Sequence, residues 1–541
     1  MSDLQALEDE PLEPPEGGER TSARSLAKAG LLISAAYLVS RVLGYARVLL
    51  VTTTFGAGHD LDAFNAAFRI PDLIFQLVAG GAVASALVPM VGGLLANGEQ
   101  QRAWRVVSTI ANLVLVALAV LAVVAFVAAP WIVPTLIAPG FPPDVLAKTV
   151  DLTRLMLLAP IMLAIGAVVT SALNAERRFA ATAVAPIVYN LAIIGGALFL
   201  SSSYGVTGLA IGVVAGSLGH LAIQLPSLFG AGFRYTPRID LGDKTARRSL
   251  ILMLPRVFGL GASQITIVVM VALASSYGSG AVTDWTNAFT LLQIPLGVIG
   301  IPLGIVILPS LSRELAVGRT DVYLALIARS MRILLFVMLP IAGIGIALSF
   351  QTVSLLLDYG KVDDTAVALT SSTLQLFLLG LGAHASIGVL ARAFYARHDT
   401  RTPVLAAVLA VVINTSLAAL LVGPLGLPAL GLAIAIAAWA EAIVLLLVLM
   451  RREPGLDGRG IASVAARSLV ATAIAAALAY LVAALIHQPS ADEPTKLVTL
   501  VQVAVATIVA GLAYLGVALA LRIPELPTMI SIVTDLVRRR R

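Results

Sequence analysis

Apolar runs of twenty residues or more recur from one end of the chain to the other, broken only by short polar stretches. They cover approximately residues 27–55, 62–96, 104–138, 146–174, 180–202, 205–229, 246–277, 283–311, 322–356, 364–396, 403–423, 427–450, 461–487 and 496–521. An α-helix rises about 1.5 Å per residue, so about 20 apolar residues cross the roughly 30 Å of bilayer hydrocarbon. Every run meets that length, and the longest must tilt, kink or protrude. With 59% hydrophobic and only 12% charged residues, the chain cannot cover a compact body with polar surface. Lipid leaves backbone groups no outside partner, so the spans must be helical. The expected fold is an all-α polytopic membrane protein with about 14 transmembrane helices.

The 541 residues include no cysteine, which excludes disulfides, thiolate metal sites and thiol catalysis. The histidines, His59, His220, His384, His398 and His487, are scattered without metal-ligand spacing. No nucleophile–base pair or paired acids suggest an enzyme, and no cofactor or metal is expected. The formal charge of +6 sits in short loops and at the C-terminus. That placement suits anionic lipid headgroups and argues against nucleic acid as a partner.

Loop charge sets an expected orientation. Arg102, Arg105, Arg177, Arg178, Arg234, Arg238, Arg313, Arg319, Arg397, Arg451 and Arg452 share one set of loops, whereas the alternate loops carry little beyond Lys148, Lys361 and Lys496. The positive-inside rule makes the first set cytoplasmic, with both termini inside. Residues 1–26 are acidic and hold Pro and Gly without an apolar run, so they read as a disordered cytoplasmic tail and not a signal peptide. Residues 523–541 form a basic cytoplasmic tail ending in Arg538–Arg541.

An internal repeat divides the rest. Ser40-Arg41-Val-Leu-Gly44 answers Pro255-Arg256-Val-Phe-Gly259. Asn65 to Pro71 answers Asn287 to Pro295, Val88-Pro89 answers Leu308-Pro309, Asn190 answers Asn414, and Gly208 answers Gly431. The matches keep their order at an offset of about 215–224 residues. We therefore expect two parallel six-helix lobes, 27–230 and 231–452, and two further helices in 453–522. Duplicated lobes around a cleft are a transporter plan.

Ionisable groups inside spans face a bundle interior or a wet cavity. Arg41 lies about 20 Å along its helix from Lys28, too deep to snorkel easily. Arg47 projects about 120° away from Arg41, and Gly44 between them allows a bend that would turn both toward one cavity. Asp62 opens the second span, either as a helix cap or in the cavity. Arg69 and Asp72 stand at i and i+3, so Arg69 either pairs locally or faces substrate, and Pro71 predicts a kink. Arg256 follows Pro255 and is the repeat partner of Arg41. Pro295 is the counterpart of Pro71. Asp151 and Arg154 are read as an i,i+3 pair, Asp284 as the cap of the eighth span, Arg329 and Arg332 as facing the cytoplasmic start of the ninth, and Arg392, His384 and Glu441 as structural pairs or hydrogen bonds. Gly297, Gly300 and Gly304 are read as ordinary helix packing. Alanines in the last two spans leave room for a shallow lipid-facing groove. Guanidinium forks from both lobes fit a phosphate or diphosphate better than a neutral or cationic solute.

These residues carry a resemblance. SRVLGYAR (Ser40–Arg47), the stretch Phe55–Pro89, ILPSLS (Ile307–Ser312), LLDYGK (Leu356–Lys361) and AFYARHDTRTP (Ala393–Pro403) resemble the MurJ (MviN) lipid II flippase family of the multidrug/oligosaccharidyl-lipid/polysaccharide (MOP) exporter superfamily. The similarity extends from about Ser25 to the last span. It implies a MOP/MATE-like pair of lobes around a cationic cavity, with a groove for a polyprenyl tail in 453–522. It also implies alternating access in the bacterial cytoplasmic membrane, moving undecaprenyl-diphosphate-linked disaccharide-pentapeptide outward for peptidoglycan synthesis. The family's first-helix arginines match Arg41 and Arg47, and its second-helix acid matches Asp62. Where the family carries charge, this chain has Val48, Phe75, Thr290 and Gln293, so its headgroup contacts must differ, with Arg69 or Arg256 as substitutes. Asn414 matches one sodium-ligand position of some members, but Ala418 lacks the carboxylate a turn later. Two rival readings remain: a MOP exporter of another lipid-linked glycan, and a non-transporting scaffold that recruits cell-wall synthases through its tails.

Overall fold

The computed structural model describes residues 18–79, 82–240, 242–243, 264–486, 496–527 and 529, with side chains from residue 35 on, apart from Tyr37 and 77–86. Arg256 and Pro255 lie outside the described residues. In chain order the helices are α1 (Gly18–Phe55), α2 (His59–Ala67), α3 (Arg69–Ala79), α4 (Ala82–Ala96), α5 (Gln100–Ile137), α6 (Pro143–Ala175), α7 (Phe179–Tyr204) and α8 (Val206–Phe229). The second half continues with α9 (Gln264–Ser275), α10 (Ala281–Ala316), α11 (Thr320–Ala347), α12 (Ser349–Leu357), α13 (Asp364–Leu378), α14 (Leu381–Ala396), α15 (Arg401–Leu425) and α16 (Pro428–Arg452). Two helices, α17 (Gly458–Ile486) and α18 (Lys496–Ala520), follow.

Among the described residues 11 helices are long and apolar enough to cross a membrane, or 12 if α13 and α14, bent by 44°, count as one span. The expected second span is not one helix. It breaks at Phe68, and Pro71 is the reason. Proline has no N–H to give the carbonyl of Ala67. The Thr153 hydroxyl of α6 approaches that carbonyl at 3.4 Å, but its one proton goes to the Thr149 carbonyl of its own helix at 2.8 Å. Pro295 has a milder effect. The π-helical turn Leu296–Gly300 follows it within α10, and the helix continues. Gly44 causes no break at all, since α1 is continuous through it.

Backbone conformation repeats along with the sequence. Left-handed residues occur at Gly98 and Gly318, at Arg177 and His398, and at Gly205 and Gly426, pairs 220 or 221 residues apart. Two of these positions, Arg177 and His398, carry side chains at φ 59°. A strained turn placed twice at one offset is not a coincidence of apolar composition. It reflects two copies of one chain path. Asp399 beside His398 shows how the turn is held. Its carboxylate accepts from the N–H groups of Arg401 and Thr402, at 2.9 and 3.0 Å, and from the Thr402 hydroxyl.

Residues 231–240 run from α8 back along α5 as an extended strap. Asn112 on α5 donates to the carbonyls of Thr236 and Arg238, both at 3.0 Å, and accepts from the Tyr235 hydroxyl at 2.7 Å. Ser108 and Thr109 receive the N–H groups of Thr236 and Asp240. A polar stripe on an otherwise apolar helix is thereby consumed by backbone.

The last two helices pack on α11 through small residues. Ala471, Ala475, Ala479 and Ala483 of α17, spaced by four, form one buried cluster with Ala506, Ala510 and Ala518 of α18. Without a hydrophobic gradient in lipid, such close backbone packing holds helices together. Tyr514 crosses from α18 to donate to the Phe336 carbonyl of α11.

Candidate functional site: a cationic cavity below a closed seam

The two halves meet along α1, α2 and α10. Asp62 is fully buried there, away from the cavity. Its carboxylate accepts from the N–H groups of Gly280 and Thr283, at 2.7 and 2.8 Å, and from the Thr283 hydroxyl at 2.7 Å. Asp62 therefore caps a helix, but the capped helix is α10 of the other half and not its own. An anion at a helix N-terminus is favoured by the free N–H groups and the helix dipole. Hydrogen bonds to a charged acceptor contribute about 1.5–3 kcal/mol each.

Below Asp62 further bonds cross the same boundary. Asn65 donates to the Thr283 hydroxyl at 3.2 Å, the Thr52 hydroxyl to the Asn287 side-chain Oδ1 at 3.0 Å, and Arg69 to the Thr286 hydroxyl at 3.4 Å. On the flank the Gly140 N–H donates to the Ser275 hydroxyl at 3.1 Å. These bonds form a continuous seam that closes one end of the molecule. Lys148, Lys361 and Lys496, the cations of the sparsely charged loops, sit at this seam end. Lys148 pairs there with Asp60 at 2.5 Å, and Lys496 with Asp358.

A cavity of about 960 Å³ lies on the other side of the seam. Its wall includes Arg41, Arg47 and Thr290, and continues to Asn174, Phe179 and Thr182 beside the basic turn of Arg177 and Arg178. Smaller hollows of about 220 and 200 Å³ extend from it, and Arg47 borders all three. Thr290 and Arg69 line the hollow nearest the seam, and Asp72 and Phe75 line the other.

Both α1 arginines border the cavity, and Gly44 between them lines it too. The Arg41 guanidinium crosses to α10 and rests against Gly297, where any Cβ would collide with it. Arg47 turns the other way, its guanidinium 5.9 Å from the centroid of the Tyr189 ring on α7. Asn190, one residue on, donates to the carbonyls of Pro186 and Ser40, at 3.0 and 3.4 Å, and so fixes α7 beside Arg41. Arg69 is more enclosed, with its Nε buried and unpartnered among the described residues.

Sequence reading missed two features. Gly300 of α10 is the packing residue expected, against Ala385 and Leu296, but Gly297 and Gly304 are not. Gly297 seats Arg41, and Gly304, two turns on, seats Arg392, which also donates to the Gly388 carbonyl at 2.8 Å. The helical spacing of those glycines was visible, but not what lay opposite them. The second feature is the pairing of Thr283 with Asp62, which no local pattern announces. The expected Asp151–Arg154 pair is present at 4.0 Å, with Arg154 stacking on Phe126, and Arg332 holds Glu525 at 2.7 Å and Asp457 at 2.9 Å, partners its position in the sequence did not indicate.

Comparison with known proteins decides the family. The family model described as lipid II flippase MurJ matches residues 51–491. The chain belongs to the lipid II flippase MurJ family. A probable MurJ of Rhizobium tropici is 34% identical over 441 residues, covering 79% of this chain and 81% of that protein. The MurJ of Burkholderia cenocepacia is 32% identical, covering 79% of this chain and 84% of its own length. Among solved structures, a MurJ in an inward closed conformation superposes with a TM-score of 0.74 at 22% identity, covering 91% of this chain and 99% of that one. An inward-facing MATE transporter of the MOP superfamily reaches 0.64 at 15% identity, covering 79% and 98%. The MOP-type fold and the multi-pass membrane architecture expected from the sequence are therefore established. Thr290 and Phe75 are neutral side chains on walls that also carry Arg47.

Proposed function

We propose that the chain flips lipid II across the bacterial cytoplasmic membrane by alternating access, with the basic end and both termini in the cytoplasm. The observation that carries the reading is the pairing of a cationic cavity on one side with a hydrogen-bonded seam on the other. Lipid II enters from the cytoplasmic leaflet, and its diphosphate lies between Arg41 and Arg47. A guanidinium offers phosphate a bidentate fork and a charge that does not titrate away. Arg69 supplies the cation nearest the seam, in place of one on α10 where Thr290 stands, and Arg256 is proposed as a further cation from the second half. Substrate binding neutralises the mutually repelling arginines, and the seam from Asp62 to Arg69 then opens. A membrane potential negative inside favours outward movement of the negative headgroup. Gly44, Pro71, Pro255 and Pro295 are the proposed flexing points. The chain acts as a transporter without catalysis of its own. Membrane lipids surround it, and cell-wall synthases are proposed as recipients of the flipped product.

The test is translocation of fluorescent lipid II in vesicles holding the purified protein, with and without an imposed potential. Flipping that survives Arg41→Ala unchanged would remove the arginine cavity from the mechanism. A second reading, transport of another lipid-linked glycan, is favoured by Thr290, Phe75 and Gln293, neutral where the family carries charge. Depletion separates the two. Lysis supports lipid II, whereas loss of a dispensable surface polymer with normal growth supports the other glycan.

A further inference from the structure

The loop after α12 touches two parts of the molecule that do not otherwise explain each other. On one side it meets α1. The Lys361 N–H donates to the Thr53 carbonyl at 3.0 Å, a backbone bond between the halves. Gly56 and Gly360 permit this approach. Both are left-handed, at φ 79° and 64°. A Cβ on Gly56 would lie 2.6 Å from the Lys361 carbonyl oxygen, and one on Gly360 would run into that of Thr53.

On the other side the same loop meets α18. Asp358 holds the ammonium of Lys496, the first residue of α18, and accepts from the Ser354 hydroxyl at 3.1 Å. Lys496 also reaches the Ser354 carbonyl at 3.4 Å and lies 4.9 Å from the centre of the Tyr359 ring. So Asp358 and Tyr359 grip the helix pair outside the lobes, and Gly360 and Lys361 close the seam. Between the two grips there is no slack, because the residues are consecutive.

We propose that Asp358–Lys361 is a coupling strap and that Lys496 and Asp358 are positioning residues for translocation. The ion pair holds the loop in the shape that fits Thr53. The seam therefore closes fully only when α18 is in place, and α18 is pulled or released as the seam opens. The strap gives the C-terminal helix pair a direct mechanical link to the gate, which neither its alanine seam nor its contact with α11 provides. This inference rests on the alternating-access reading above.

The absence of native cysteine makes the test clean. Ser275→Cys places one thiol in the seam, at a site buried to 2% exposure and away from the loop. Its reaction rate with an impermeant maleimide is measured in the purified full-length protein, beside lipid II flipping in vesicles. Lys496→Glu or Asp358→Lys should raise the labelling rate roughly two- to fivefold, the range expected for loss of a half-exposed ion pair. Each should also slow flipping. Lys496→Glu combined with Asp358→Lys should restore both. A merely structural pair would lower thermal stability without changing the thiol's accessibility. Unchanged labelling in both single variants, or a charge swap that stays as open as either single variant, overturns the strap. Failure of the unsubstituted protein to flip lipid II, with labelling of Ser275→Cys still responding to the ion pair, counts against the transport reading and leaves the strap standing.

Discussion

The guanidinium of Arg41 lies against the bare backbone of Gly297 on the opposing helix, in a place a methyl group would fill. One arginine from the first half is thus positioned by a missing side chain in the second. Gly297→Ala should displace Arg41 with little effect on folding, because the obstacle is the far end of a flexible chain. A lost charge-assisted contact to phosphate corresponds to about tenfold in rate or affinity. The expected result is about a tenfold fall in lipid II flipping with nearly unchanged thermal unfolding. Equal activity in the two proteins would mean that Arg41 does not need this seat.

The Asp62 carboxylate and its donors at Gly280 and Thr283 form the most enclosed part of the seam. Asp62→Ala leaves those donors unpaired and buried, which costs about 1–3 kcal/mol per group. Its expected signature is a seam that opens too easily. A thiol at position 275 should react faster, and flipping should fall. Asp62→Asn keeps an acceptor but loses the charge, so it should show the same changes at a smaller scale. A thiol protected equally in all three proteins would show that Asp62 does not hold the gate.

Thr290 shares its hollow with Arg47 and Arg69. If Arg69 stands in for a cation on α10, Arg69→Ala should impair flipping, and adding Thr290→Arg should recover much of it. The pair of vesicle assays decides this. A double variant no better than Arg69→Ala would assign Arg69 to the seam alone.

At the basic end, the Thr402 hydroxyl, together with the Thr402 N–H and Arg452, holds Asp399 down to a pKa of about 2. An unfolded aspartate titrates near 3.9. The folded state therefore favours the charged form. The stabilisation is fully present above about pH 4 and is lost as pH falls toward 2. Hydrogen exchange of the turn at Arg401–Thr402 should be slow at pH 5 and accelerate, beyond the intrinsic pH effect, between pH 4 and 2. Asp399→Asn should abolish that excess. An excess that persists in the variant would assign the transition to another group.

Much of the fold was legible because lipid imposes a simple code. Apolar runs of sufficient length must be helices, and their limits agree with the observed helices within a few residues for α5 to α8, α10 and α15 to α18, whereas the run 322–356 is divided at Leu348 and the run 364–396 is bent by 44°. The repeat was legible because two copies share glycine and proline punctuation. The disturbance that Pro71 announced in the second span takes the form of a one-residue interruption at Phe68, whose φ and ψ remain helical. The alanines of α17 were expected to leave a shallow groove. Ala471 and Ala475 turn out to be buried in one cluster with alanines of α18 and Phe336 of α11, while Ala473 and Ala477 are exposed.

Charge in the spans was likewise only half readable. That Arg41, Arg47, Arg69 and Asp62 were exceptional followed from the cost of placing charge in hydrocarbon, which the sequence alone reveals. Their partners did not follow, because Gly297, Tyr189, Thr286 and Thr283 come from helices more than a hundred residues away. The chain by itself determined that it is a duplicated helical membrane protein with arginines it cannot leave in lipid. Only the packing of one half on the other decided which acid became a latch and which arginines a wall, since hydrogen bonds at about 3 Å depend on how the helices meet and not on how they are spelled.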